Sequence, residues 1–165
     1  MKIEDNFLEE NIFDELQSFI MGDDISWYYN PYIVDEGEKE FQFTHAFYRY
    51  NTPQSSHYPK LLPIIDKLDL YSIVGIKSNL LPITSNIIKH KFHVDLIGID
   101  PKKIKQWTTS IFYMNTNNGY TEFKDGTKVE SVANRMVTFP SNLKHRGTSC
   151  TDEKTRAVIN FNYFK

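Results

Sequence analysis

At 165 residues, with a formal net charge of −2 and a pI near 6.2, the chain fits one domain (1–165) and lacks the basic excess that draws a protein to nucleic acid or anionic membrane. A chain this long buries about 70% of the surface its unfolded form exposes, so folding demands neither disulfide nor structural metal. The single cysteine, Cys150, excludes an intrachain disulfide, the acidic start (Glu4, Asp5, Glu9, Glu10) is unlike a secretory leader, and no apolar run approaches a membrane span, so a cytoplasmic protein of a reducing compartment is expected.

Leu8, Ile12, Phe13, Leu16, Phe19 and Ile20 recur at helical spacing, and Gly22 follows as a stop. Residues 26–34 and 41–50 are rich in Tyr, Phe and Trp and read as strands. Leu61, Leu62, Ile65 and Leu68 suggest a second helix, against Pro63, which sits badly inside one. From Tyr71 the texture changes to short β-like runs: Tyr71–Leu81, His90–Leu96, Trp107–Thr116, Tyr120–Lys124, Thr127–Ser131, Arg135–Pro140, Lys144–Thr148 and Thr155–Phe164. Turn residues separate them, Asp125-Gly126 being a strong hairpin signal. Short strands without intervening helices predict a mainly β fold: a double-stranded β-helix, that is, a jelly-roll or cupin-like barrel over 71–165. Residues 1–70 are then a helical and aromatic flanking region. Lys102, Lys103 and Lys105 read as a solvated turn.

The chemistry gathers around two of the five histidines. On a strand, residues two apart share a face, so His93 and Asp95 present an imidazole and a carboxylate side by side, whereas His90 faces away if the strand is regular. His145, after the Ser141-Asn142 turn, is the candidate third ligand. Two histidines and a carboxylate on one side of a metal leave positions open and suit non-haem Fe(II). Eleven positions after His145, Arg156 shares a face of the last strand with Val158, Asn160 and Asn162. Inside a barrel it needs an anionic partner, and its planar fork suits a carboxylate.

The order His-x-Asp, distant His, then a basic residue resembles the Fe(II)/2-oxoglutarate oxygenases, closest to their prolyl-hydroxylase-like branch with its small viral versions. The likeness covers roughly 71–165 and includes Thr109–Asn115, Asn118–Phe123 and Asn134–Pro140. It implies that His93, Asp95 and His145 bind iron, that Arg156 pairs with the distal carboxylate of 2-oxoglutarate, and that Tyr113 supports it. It also implies dioxygen as co-substrate and hydroxylation of a C–H bond, with a peptidyl, proline-like substrate suggested and, for a viral version, a host-cytoplasm location. One departure stands out: relatives often carry Tyr before the Pro ending the first barrel strand, and here that position is Leu81, with Asn79 or Lys77 as substitutes of matching parity. Two other classes stay open: a non-enzymatic cupin-like metal- or ligand-binding module, and a zinc hydrolase, which leaves Arg156 unexplained. Trp27–Tyr32 and the stretch from Arg49 to Tyr58 read as packing rather than a substrate entrance.

Overall fold

In the computed structural model, residues 1–96 and 100–165 are described, except for the side chains of Pro101 and Lys102, so the Lys102 expectation lies outside the described residues. Two antiparallel sheets face each other. The larger is eight-stranded and runs β1 (Lys2–Glu4), β9 (Arg135–Pro140), β6 (Trp107–Tyr113), β11 (Thr155–Phe164), β5 (Ser72–Pro82), β3 (Gln42–Arg49), β2 (Tyr28–Asn30), with β4 (Thr52–Pro53) on β3. The smaller has three strands, β10 (His145–Gly147), β7 (Tyr120–Phe123) and β8 (Lys128–Glu130). This is the jelly roll expected, with helices packed outside it.

Strand β11 shows why the two faces differ. Ala157, Ile159, Phe161 and Tyr163 are buried on one side with Phe112 and Met114 of the β6 segment. Against them pack Phe13, Leu16, Phe19 and Ile20 of α1 (Glu10–Met21), and Ile64 and Leu68 of α2 (Leu62–Leu68). The other side looks into the barrel, where Ile111, Tyr113, Phe123, Val129, Val137, Phe139 and Val158 form a second, smaller core. Asn134, at a φ of 61°, fastens the N-terminal segment by bonding both the N–H and the carbonyl of Leu8 at 2.8 Å.

Several expectations change. His90–Leu96 is not a strand; only the isolated bridges Lys89–Thr148 and His93–His145 remain of the fourth strand of the small sheet. The carbonyls of Lys91 and Leu143 accept from histidine rings instead of a ladder. Residues 31–34 leave the strand expected over 26–34, because the N–H groups of Ile33 and Val34 go to the Glu38 carboxylate. Pro63 lies in the first turn of α2, where its missing N–H costs nothing, and a turn of 3-10 helix, Tyr58–Leu61, precedes it. Gly22 does end α1, in an extended conformation: a Cβ there would meet the Ser18 carbonyl oxygen at 2.5 Å. The first seventy residues do more than cover the barrel, since β1 extends one edge of the large sheet and β2 and β3 the other. A short α3 (Pro101–Ile104) also lies beyond the expected elements.

Phe112 is fully buried, edge-on to Phe7 and Phe13 at 5.9 Å each, and joins the sheet to its helical cover. Phe112→Ala is expected to cost about 3–5 kcal/mol, read as a lowered urea midpoint at unchanged slope.

Candidate metal centre

His93, Asp95 and His145 converge. Their ligand atoms lie within 4.8 Å of one another, and Asp95 Oδ1 is 3.4 Å from Nε2 of each histidine. The ring Nδ1 of His93 sits 3.1 Å from the Lys91 carbonyl, and that of His145 3.2 Å from the Leu143 carbonyl. Donation from Nδ1 to those carbonyls turns each Nε2 towards the shared space. Phe139 packs edge-on against the His145 ring at 4.9 Å and fixes its plane. The other carboxylate oxygen, Asp95 Oδ2, accepts from the side-chain amides of Asn160 (3.3 Å) and Asn162 (3.4 Å). Three hard or borderline donors with their outer atoms restrained fit a divalent cation and leave its remaining positions open.

The charges agree. Burial works against ionisation of Asp95, but hydrogen bonds and charge from His145 and His93 outweigh it and hold the carboxyl well below the usual range. Burial likewise works against a charged His93, yet Asp95 raises its pKa above the ordinary 6.5.

Arg156 lies on the barrel face of β11, only 3% exposed. Nε donates to Ser131 Oγ at 2.9 Å and Nη2 to Thr121 Oγ1 at 3.4 Å, while the guanidinium carbon sits 5.7 Å from the Tyr113 ring centre. Among the described residues no carboxylate pairs with it. Gly119 admits its stem: a Cβ there would come within 2.7 Å of Arg156 Cδ. Tyr113 stands beside Arg156 as expected, its hydroxyl donating to Thr121 Oγ1 at 2.8 Å. Asn79 pairs across the sheet with Val158, and its buried Oδ1 has no partner. Leu81 is buried directly opposite Arg156 in the register.

Sequence reasoning placed Asn160 and Asn162 on the site face but gave them no role, and it missed Ser131, Thr121 and Gly119. Parity with Arg156 could have flagged the two amides; the other three become visible only in three dimensions. His45 is a satisfied core histidine, bonded to the Ser26 carbonyl and Ser55 Oγ, and His57 stacks on Phe19. Two surface clefts, about 530 Å³ beside Tyr58 and Trp107 and about 480 Å³ beside His45 and His57, include none of the His-Asp-His cluster.

Mn(II) titration tests the centre. His145→Ala is expected to abolish tight binding, and Asn162→Ala to weaken it roughly 10–100-fold, the usual effect of losing an outer-shell partner. Affinity should fall as acid protonates His93, beginning above pH 6.5 because that pKa is raised. Equal Mn(II) affinity in native and His145→Ala proteins would remove His145 from the site.

No family model matches the chain, and no curated protein matches it in sequence. Solved structures do match its fold. A prolyl hydroxylase from Trichoplax adhaerens, in complex with a hypoxia inducible factor oxygen degradation domain peptide, superposes with a TM-score of 0.71 at 12% identity, covering 99% of this chain and 82% of that one. The viral collagen prolyl hydroxylase of Paramecium Bursaria Chlorella virus-1, a 2-oxoglutarate complex, gives 0.60 at 12% identity over 99% and 95%. HygX from Streptomyces hygroscopicus, with nickel and 2-oxoglutarate bound, gives 0.62 at 10% identity over 98% and 81%. The chain has the jelly-roll fold of the Fe(II)/2-oxoglutarate oxygenases, in the form taken by their prolyl-hydroxylase-like branch.

Proposed function

We propose that this chain is a single-domain Fe(II)- and 2-oxoglutarate-dependent dioxygenase, with His93, Asp95 and His145 holding iron and Arg156 gripping the distal carboxylate of 2-oxoglutarate. The observation that carries the reading is a buried guanidinium without a carboxylate partner among the described residues, inside the same barrel as a His-Asp-His cluster. A buried cation left with neutral partners is costly, and a dicarboxylate supplies the missing charge in bidentate form. Bound iron, with 2-oxoglutarate and dioxygen, supplies the oxidising chemistry: 2-oxoglutarate is decarboxylated to succinate as a substrate C–H bond is hydroxylated.

The chain's own residues bind and orient. Asn160 and Asn162 hold Asp95 with one oxygen facing the histidines. The Lys91 and Leu143 carbonyls set the two rings. Ser131, Thr121 and the Tyr113 ring steady Arg156 while leaving Nη1 without a partner among the described residues. The apolar lining of Ile111, Val137, Phe139 and Val158 keeps water out of the barrel. For the primary substrate a peptidyl, proline-like group is the first class to test, because one structural neighbour is complexed with a peptide. No helix among the described residues is long and apolar enough to cross a membrane. A cupin-like binding module would retain the fold, yet it has no use for the uncompensated Arg156.

The test is 2-oxoglutarate turnover to succinate, screened with peptides, free amino acids and oligonucleotides. Arg156→Ala is expected to raise the 2-oxoglutarate requirement roughly thirty-fold or more, since losing one partner of a buried charge pair costs about 2–5 kcal/mol. Mn(II) binding and circular dichroism should be unchanged, and Arg156→Lys intermediate. A folded Arg156→Ala protein that binds 2-oxoglutarate as the native does would end the co-substrate assignment and favour the binding module.

A further inference from the structure

His90 is the one histidine whose placement the expected strand gets wrong. A regular strand would turn it away from His93. Here the segment is held only at Lys89 and His93, and the His90 N–H bonds the Gly147 carbonyl at 3.1 Å. Its side chain turns inwards, 8% exposed, and its ring Nε2 is buried without a hydrogen-bond partner among the described residues. A buried ring nitrogen left unpaired is costly, which points to a partner brought by something that binds there.

Gly147 shows where that partner sits. The point at which a Cβ on Gly147 would lie is 3.6 Å from Arg156 Nη1 and 3.9 Å from His90 Cδ2, the ring atom next to Nε2. The guanidinium end without a partner among the described residues and the orphan imidazole nitrogen therefore flank one small space, kept clear by a glycine. Burial, then the charge of Arg156, push His90 down to about 4, so at neutral pH the ring is uncharged and carries a single N–H. Leu81, across β11 from Arg156, offers that space no hydrogen bond.

Resting on the assignment of 2-oxoglutarate to Arg156, we propose that His90 is a second co-substrate-binding residue, its Nε2–H donating to the same distal carboxylate that Arg156 grips. The missing Tyr at position 81 is thus replaced from the opposite wall of the barrel, by the His90–Asp95 segment that also carries two metal ligands, rather than by Asn79 or Lys77 on β5. A five-carbon 2-oxo acid with a terminal carboxylate satisfies both nitrogens; the same chain ending in a methyl satisfies neither.

Calorimetry on the Mn(II)-loaded protein tests this, with 2-oxoglutarate and 2-oxopentanoate as probes. His90→Phe keeps the ring's bulk and removes the donor; it is expected to raise the Kd for 2-oxoglutarate roughly ten- to a hundred-fold, the value of a hydrogen bond to a charged group. Mn(II) affinity and any 2-oxopentanoate binding should stay as in the native protein. His90→Gln, whose amide nitrogen reaches as far as Nε2, is expected to recover most of the loss. Native 2-oxoglutarate affinity in His90→Phe, alongside a clear loss in Arg156→Ala, would overturn the role of His90 and leave the co-substrate reading standing. Loss of Mn(II) affinity together with 2-oxoglutarate affinity would make His90 a support of the fold and also overturn the proposal. No 2-oxoglutarate binding by the native protein would remove the reading on which it rests.

Discussion

Burying a guanidinium is expensive, and this chain buries one at 3% exposure with hydroxyls and an aromatic face as its partners among the described residues. Much of the barrel's polar detail answers that cost. Ser131 and Thr121 accept from it, and Tyr113 lends its ring while its hydroxyl donates a hydrogen bond to Thr121. Gly119 yields the volume of a side chain so that the stem can lie flat. None of these partners carries a negative charge, so the fold stops short of neutralising Arg156. An ion pair to a protein carboxylate would stabilise the barrel more and close the space to an anionic ligand.

The metal end shows the reverse arrangement. Asp95 is a buried anion, and its compensation lies within the cluster: two histidines at 3.4 Å on one oxygen and two amides on the other. Hydrogen bonds and charge from His145 and His93 lower the Asp95 pKa against the opposing effect of burial, and Asp95 in turn raises that of His93.

Alternation made much of this legible. The placement of Arg156, Asn160 and Asn162 on one face of β11, with Ala157, Ile159 and Phe161 on the other, follows from period two alone, and the strand limits of β9 and β11 coincide with those expected. What stayed hidden breaks that periodicity. His90 turns inwards because its segment is not a strand, and nothing in His90–Leu96 announces that ring nitrogens will take the carbonyls a ladder needs. Residues 31–34 look like strand until Glu38 captures their N–H groups. β1 is three residues long, too short to show a pattern, and its place on β9 is set by Asn134 and the Arg135–Asp5 pair far along the chain. Side-chain-to-backbone bonds are decided by proximity, and proximity is what a linear reading lacks.

The two faces of β11 are also coupled. Arg156 and Asn160 are four residues apart on it, roughly 13 Å at strand rise, so one strand spaces the buried guanidinium from the amides that support Asp95. A slip of one residue would turn Arg156 and both asparagines onto α1 and α2 and drive Ala157, Ile159 and Phe161 into the barrel. That slip is opposed most strongly by the apolar face, where Phe161 and Ile159 are fully or almost fully buried against the helical cover. The hydrophobic core thus fixes the register from behind, and the register places the charges in front. The fold is shared with solved structures at 10–16% identity, which fits a register set by alternation rather than by particular residues on the apolar face.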